Sequence, residues 1–93
     1  MKYLVVSCVE REIELVAVCN TYEVAFEIMK EHFLTHEKEC GVVSEHIETL
    51  EQMIRYDMYL ELDTCGFYKT KPAYAWSNTN EECDYDIKII EIN

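Results

Sequence analysis

The sequence predicts one α+β domain, residues 1–93, in which an antiparallel sheet packs against two helices on one of its faces. Apolar and polar residues alternate with the period of a strand near both ends of the chain, whereas the middle has the three-four spacing of helices. The chain has 93 residues, of which 49% are hydrophobic and only three are Gly or Pro, so it can fold around one core. The predicted element order is β-β-α-α-β-β.

The N-terminal segment predicts a β-hairpin. Its β-branched runs cover residues 2–9 and 13–19, with a charged interruption between them. With the turn centred on residues 11 and 12, Cys8 and Cys19 would share one face of the hairpin, several residues apart. Both are interpreted as core thiols.

The first helix is expected to begin after a cap at Asn20 or Thr21, since polar oxygens there can accept bonds from the first free N–H groups. It should run to Cys40, because Gly41 can adopt the left-handed conformation that ends a helix. The apolar stripe of this helix comprises Tyr22, Ala25, Phe26, Ile28, Met29 and Phe33.

A second helix should follow, with Ser44 as its cap. Its end is left open, since residues 58–62 also alternate like a strand. The apolar positions at helical spacing are Ile47, Leu50, Ile54 and Met58.

The C-terminal segment predicts a second hairpin. Tyr74 and Trp76 alternate with small apolar residues, a polar turn covers residues 77–80, and a β-rich run covers residues 85–92.

The charge of the chain limits its partners. It carries 19 acidic and 8 basic residues, a net charge of −11. An anionic duplex or membrane surface would repel it, so direct binding of nucleic acid or membrane is not expected. The charge suits docking on a basic protein surface, or solubility alone.

No targeting segment or membrane span is recognised in the sequence, so the cytoplasm of a host cell is the expected compartment. There the five cysteines should stay reduced, and their odd number argues against a complete disulfide framework. The oligomeric state is not predicted.

A structural zinc site is predicted from His32, His36 and Cys40, because their i, i+4, i+8 spacing places them on one helix face. A tetrahedral site needs a fourth ligand. The candidates are Cys65, which we favour, His46 and Cys83. The alternative is that the two histidines are half-exposed and Cys40 is a buried residue at the helix end.

Two acidic clusters and one aromatic segment are candidate partner-binding sites. Glu23, Glu27 and Glu31 repeat at i+4, although like charges at that spacing disfavour an isolated helix. The second cluster comprises Glu81, Glu82, Asp84 and Asp86. Such carboxylates can imitate the phosphates of a duplex, or form a solvated surface. Tyr74 and Trp76 lie in an aromatic-rich segment with Phe67 and Tyr68, and Tyr and Trp are enriched at interfaces.

Catalysis is not predicted. The chain has only two glycines and no Gly-rich phosphate loop. Cys40 and His36 could form a nucleophile and base, but no oxyanion donors accompany them.

Two stretches, residues 16–25 (VAVCNTYEVA) and residues 85–92 (YDIKIIEI), resemble segments of small phage-type proteins with a hairpin, a polar cap and a helix. In size and charge the chain is most similar to type II anti-CRISPR proteins, which bind Cas9, and zinc would fit such a member. The resemblance implies a phage or mobile-element inhibitor of a host nucleic-acid-handling protein, most specifically Cas9. It transfers no functional residue. The alternatives are an intracellular regulatory interaction domain with no defence role, and a thiol- or metal-dependent enzyme.

Overall fold

The computed structural model describes residues 1–78 and 84–93 and confirms the α+β class. Within these ranges the chain forms a six-stranded antiparallel sheet and two helices. The elements are β1 (Lys2–Val9), β2 (Glu12–Cys19), α1 (Tyr22–Glu39), α2 (Ser44–Tyr56), β3 (Tyr59–Glu61), β4 (Cys65–Tyr68), β5 (Tyr74–Ser77) and β6 (Tyr85–Ile92). The strand order is β2-β1-β6-β5-β4-β3. The short strands β3 and β4 extend the predicted second hairpin, and β6 joins it to the first.

The hairpin turn lies one residue earlier than the sequence predicts. Glu10 and Arg11 occupy its centre, with φ of 51° and 71°, as a two-residue turn between twisted strands requires. A bulge between the pairs of Val5 and Val6 then reverses the alternation along β2. The prediction that Cys8 and Cys19 share a face is therefore wrong. Cys19 is buried under the helices, and Cys8 is half-buried on the opposite face.

The start of α1 agrees with the prediction, and its end lies one residue earlier than predicted. The Val24 N–H donates to Thr21 Oγ1 at 3.3 Å, so Thr21 is the cap. The helix ends at Glu39, and Gly41 follows with φ of 94°.

The start and end of α2 differ from the prediction. Val43 is the capping residue and makes no side-chain cap bond, so the assignment of Ser44 as the cap is wrong. The helix ends at Tyr56, and Met58 lies beyond it, 56% exposed. The strand alternative for this region is correct, since β3 begins at Tyr59.

The core lies between the helices and one face of the sheet. Phe33 from α1 packs edge-on against Phe67 from β4, with ring centroids 5.4 Å apart. Tyr85 from β6 approaches Phe33 at 6.4 Å. All three rings are at most 1% exposed. No helix in residues 1–78 or 84–93 is long and apolar enough to cross a membrane.

Candidate functional site

The outer face of the sheet, opposite the helices, is the first candidate surface. Antiparallel sheets with one solvated face usually carry polar residues there, yet this face is mainly aliphatic and aromatic. Ile13, Leu15 and Tyr59 are 77%, 57% and 57% exposed. Strand pairing places on this outer face Lys2, Leu4, Val6, Cys8, Ile13, Leu15, Val18, Tyr59, Glu61, Gly66, Tyr68, Tyr74, Trp76, Asp86, Lys88, Ile90 and Ile92.

Aromatic residues cover one half of the outer face. The rings of Tyr68 and Tyr74 stack with centroids 6.1 Å apart, and Trp76 Nε1 donates to the Tyr68 hydroxyl at 3.4 Å. Gly66 lies under the indole, where a β-carbon would collide with Trp76. The predicted pair Tyr74 and Trp76 therefore lies on an open surface, whereas their sequence neighbour Phe67 is in the core.

Asp86 joins this aromatic group. The Tyr74 hydroxyl donates to Asp86 Oδ1 at 2.6 Å. Burial, followed by the bond to Asp86 and its charge, raises the pKa of Tyr74 to about 12. Asp84 is exposed and directly precedes β6, and its carbonyl accepts a bond from the Glu10 N–H at 3.0 Å. Glu81 and Glu82, predicted in the same cluster, lie outside the described residues.

The exposed surface of α1 carries the predicted acidic row, Glu23, Glu27 and Glu31. Successive members are about 6 Å apart along the helix axis. Glu27 Oε2 is 3.0 Å from Lys30 Nζ. The Lys30 side chain is only 9% exposed, whereas that of Glu27 is 63% exposed. The buried Lys30 ammonium therefore neutralises part of the charge of the acidic row, and the carboxylates remain the groups that face solvent.

The remaining charges of the two helices are also mostly acidic. Further acidic side chains with solvent access are Glu39, Glu45, Glu48 and Glu51. Arg55 is 3.5 Å from Glu51, and Lys38 lies in the last turn of α1. We refer to the solvent-facing side of α1 and α2 as the acidic helix layer.

The predicted zinc ligands on α1 lie against a tyrosine from the sheet. The Tyr85 ring stacks on His36 with centroids 3.9 Å apart, and its hydroxyl is 2.7 Å from His32 Nδ1. Cys40 Sγ is 3.7 Å from His36 Nε2. All four side chains line one cavity of about 340 Å³. Burial lowers the pKa of His32 and raises that of Tyr85, with the nearby charge of Glu37 adding to the latter.

Cys65, the favoured fourth ligand, lines a neighbouring cavity of about 330 Å³. Glu37 also lines that cavity, and its Oε1 is 3.6 Å from His36 Nδ1. Burial and the charge of Glu37 raise the pKa of the Cys65 thiol to about 11, so the free thiol stays protonated at neutral pH. In the part of the chain that is described, no three His, Cys, Asp or Glu side chains are grouped to hold a metal ion. Cys83 lies outside that part, and the zinc site stays a prediction.

Sequence reasoning missed the burial of Glu37 and the role of Tyr85. Glu37 is 1% exposed and follows His36 directly, so it points to the core while the acidic row points to solvent. Four-residue spacing from Phe33 could have indicated this, because Phe33 belongs to the predicted apolar stripe.

Comparison with known proteins gives no relative from which a function could be transferred. No protein-family model, no curated protein and no solved structure matches the chain.

Proposed function

We propose that this chain is a protein-binding domain that docks its acidic helix layer on the basic surface of a nucleic-acid-handling protein. The observation that supports this is the uneven distribution of charge. The outer face of the sheet carries two lysines and two carboxylates, whereas α1 and α2 together carry eight acidic and three basic residues.

The acidic row on α1 supports the same proposal energetically. Each like-charge pair at i+4 disfavours an isolated helix by about 0.2–0.5 kcal/mol. Lys30 offsets this repulsion at Glu27, where the ion pair is 3.0 Å long. A row that opposes folding and still faces solvent is better explained by binding than by stability.

A nucleic-acid-handling protein is the partner class that fits this row. Its groove is basic because it binds phosphates, and carboxylates at regular spacing can occupy it instead. The chain would then inhibit by competition. Cas9 is the most specific target, on the strength of the resemblance to type II anti-CRISPR proteins. A regulatory domain with no defence role would use the acidic helix layer on another basic partner.

The direct test is competition with DNA for a purified Cas9–guide RNA complex. We expect the chain to displace a labelled target duplex, with affinity that falls as salt rises. Changing Glu23, Glu27 and Glu31 together to Gln should weaken binding at least about tenfold.

A matched control removes the same charge elsewhere. Glu10→Gln, Glu12→Gln and Asp63→Asn alter three exposed residues outside the helices and should leave affinity within about threefold. Equal losses for the two triple variants would reject the acidic row as the binding surface. Absence of wild-type binding would reject Cas9 as the target.

A further inference from the structure

We propose that the outer face of the sheet is the contact surface of a symmetric dimer, occupied by a second copy of this chain. This goes beyond the proposed function, because it uses the layer opposite the acidic helices. The two inferences can fail independently.

The charge of the outer face favours a second copy over a basic partner. Lys2 and Lys88 balance Glu61 and Asp86 on this face, so a basic protein would find no surplus of negative charge there. Two copies with a net charge of −11 each would repel through most of their surfaces. Within the described residues, the outer face balances its charges, so two copies can approach through it with less repulsion.

The layered shape keeps the acidic regions of such a dimer apart. The chain measures 37 × 30 × 18 Å, with one helix layer and one sheet layer. Two sheets packed face to face lie about 10 Å apart. Both acidic helix layers would then face outward on opposite sides, well beyond the screening length of about 8 Å at physiological salt.

The outer face is also large and apolar enough for a stable interface. A specific interface needs about 800 Å² on each partner, and the outer face spans six strands, three of them eight residues long. Ile13, Leu15 and Val18 protrude from β2, 56–77% exposed. A hollow of about 310 Å³ lies beside them, and Val6, Cys8 and Tyr74 contribute to its lining. A protruding aliphatic side chain of the second copy can fill this hollow.

The charges at the centre of the face are self-complementary. Asp86 and Lys88 lie two residues apart on β6, so both point outward from this strand. A two-fold axis crossing β6 near Ile87 would place Lys88 of one copy opposite Asp86 of the other. A two-fold interface requires this reciprocal arrangement, in which each residue meets its complement twice.

The test is the oligomeric state of the full chain by sedimentation equilibrium. At about 100 µM we expect mainly dimer, corresponding to a micromolar dissociation constant. Val18→Lys should raise that constant at least tenfold, because it buries an unpaired charge on the outer face. Val24→Lys is the matched control: Val24 is 52% exposed on α1 and Val18 is 56% exposed. Both variants lower the net negative charge equally, so only position distinguishes them.

A charge exchange tests the two-fold pairing. Lys88→Glu should weaken the dimer, and adding Asp86→Lys in the same chain should restore most of the loss. A monomeric wild type at about 100 µM, or equal effects of Val18→Lys and Val24→Lys, would overturn the proposal. Loss of Cas9 binding in Val18→Lys with no change in oligomeric state would also overturn it, since the face would then serve the partner.

Discussion

The two faces of the sheet carry similar residues and have different surroundings. On β4, Phe67 points to the helices and is 1% exposed, whereas the next residue, Tyr68, points outward and stacks on Tyr74. On β1, Val5 is fully buried and its neighbours Leu4 and Val6 are half-buried on the open side. Strands that are apolar on both faces are typical of sheets covered on both sides. The composition of the outer face therefore indicates a second covering layer, which residues 1–78 and 84–93 of one chain do not supply.

The outer face and the acidic helix layer also differ in charge. The outer face has no formal net charge, whereas the exposed row of Glu23, Glu27 and Glu31 on α1 is strongly acidic. Apolar neutral surfaces associate through exclusion of water, whereas charged surfaces attract opposite charge over a distance set by salt. The two surfaces should therefore respond in opposite ways to the same solution conditions.

The largest effect should come from the inner face. Phe67→Ala removes a ring that packs against Phe33 and Phe26, with centroids 5.4 and 5.8 Å away, and should cost about 3–5 kcal/mol of stability. Tyr74→Ala on the outer face, where the side chain is 39% exposed, should cost about 1 kcal/mol. Urea unfolding of dilute protein measures both. Similar losses would mean that the outer aromatic group supports the monomer fold.

The element pattern could be predicted because periodicity reports burial directly. The cap at Thr21 and the stop at Gly41 follow from local backbone chemistry, and α1 has those bounds. The hairpin register could not be predicted, because Glu10 and Arg11 adopt positive φ without a glycine to signal it. The bulge near Val5 then moved Cys19 to the opposite face of the sheet, because one extra residue in a strand reverses the direction of every side chain beyond it.

The candidate sites were harder to predict than the fold because they depend on contacts between distant segments. Helical spacing brought His32, His36 and Cys40 together, and they line one cavity. No spacing rule places Tyr85 against His32 and His36, which lie 53 and 49 residues before it in the sequence. Alternation predicted that Tyr74 and Trp76 share one face of their strand. The strand order shows that the apolar residues of β1, β2 and β6 extend the same surface.

The zinc prediction concerns the region where the helix layer meets the sheet. Purified protein should contain close to one equivalent of zinc, and His36→Ala should lose it and melt at a lower temperature. Gln52→Ala, an exposed change on α2, should retain the metal. Melting alone does not decide this, because His36 also stacks on Tyr85 at 3.9 Å. Metal-free wild-type protein would reject the site.

The thiols provide a smaller and position-specific test. Cys8, Cys19 and Cys65 carry free thiols, and Cys8 lies on the outer face. All five thiols of the chain should react after denaturation in chelator without reductant. In native protein, Cys8 should react a few-fold more slowly as concentration rises, because the dimer covers it. Cys40, at the end of α1, should show no such dependence. A Cys8 rate independent of concentration would argue against burial of the outer face.

The dependence of self-association on salt tests most directly whether the outer face and the acidic helix layer bind different partners. Sedimentation equilibrium of the wild-type chain at 0.05 M and 0.5 M NaCl, about a tenfold range of ionic strength, would supply both dissociation constants. Screening reduces the repulsion between two chains of net charge −11 and leaves burial of the neutral outer face unaffected. We predict tighter dimerisation at high salt, with binding to the basic partner weakening over the same range. A dimer that weakens as salt rises would show that the Lys88–Asp86 pairs, rather than burial of apolar side chains, supply most of its stability, and would contradict the account in which the apolar surface holds the two copies together.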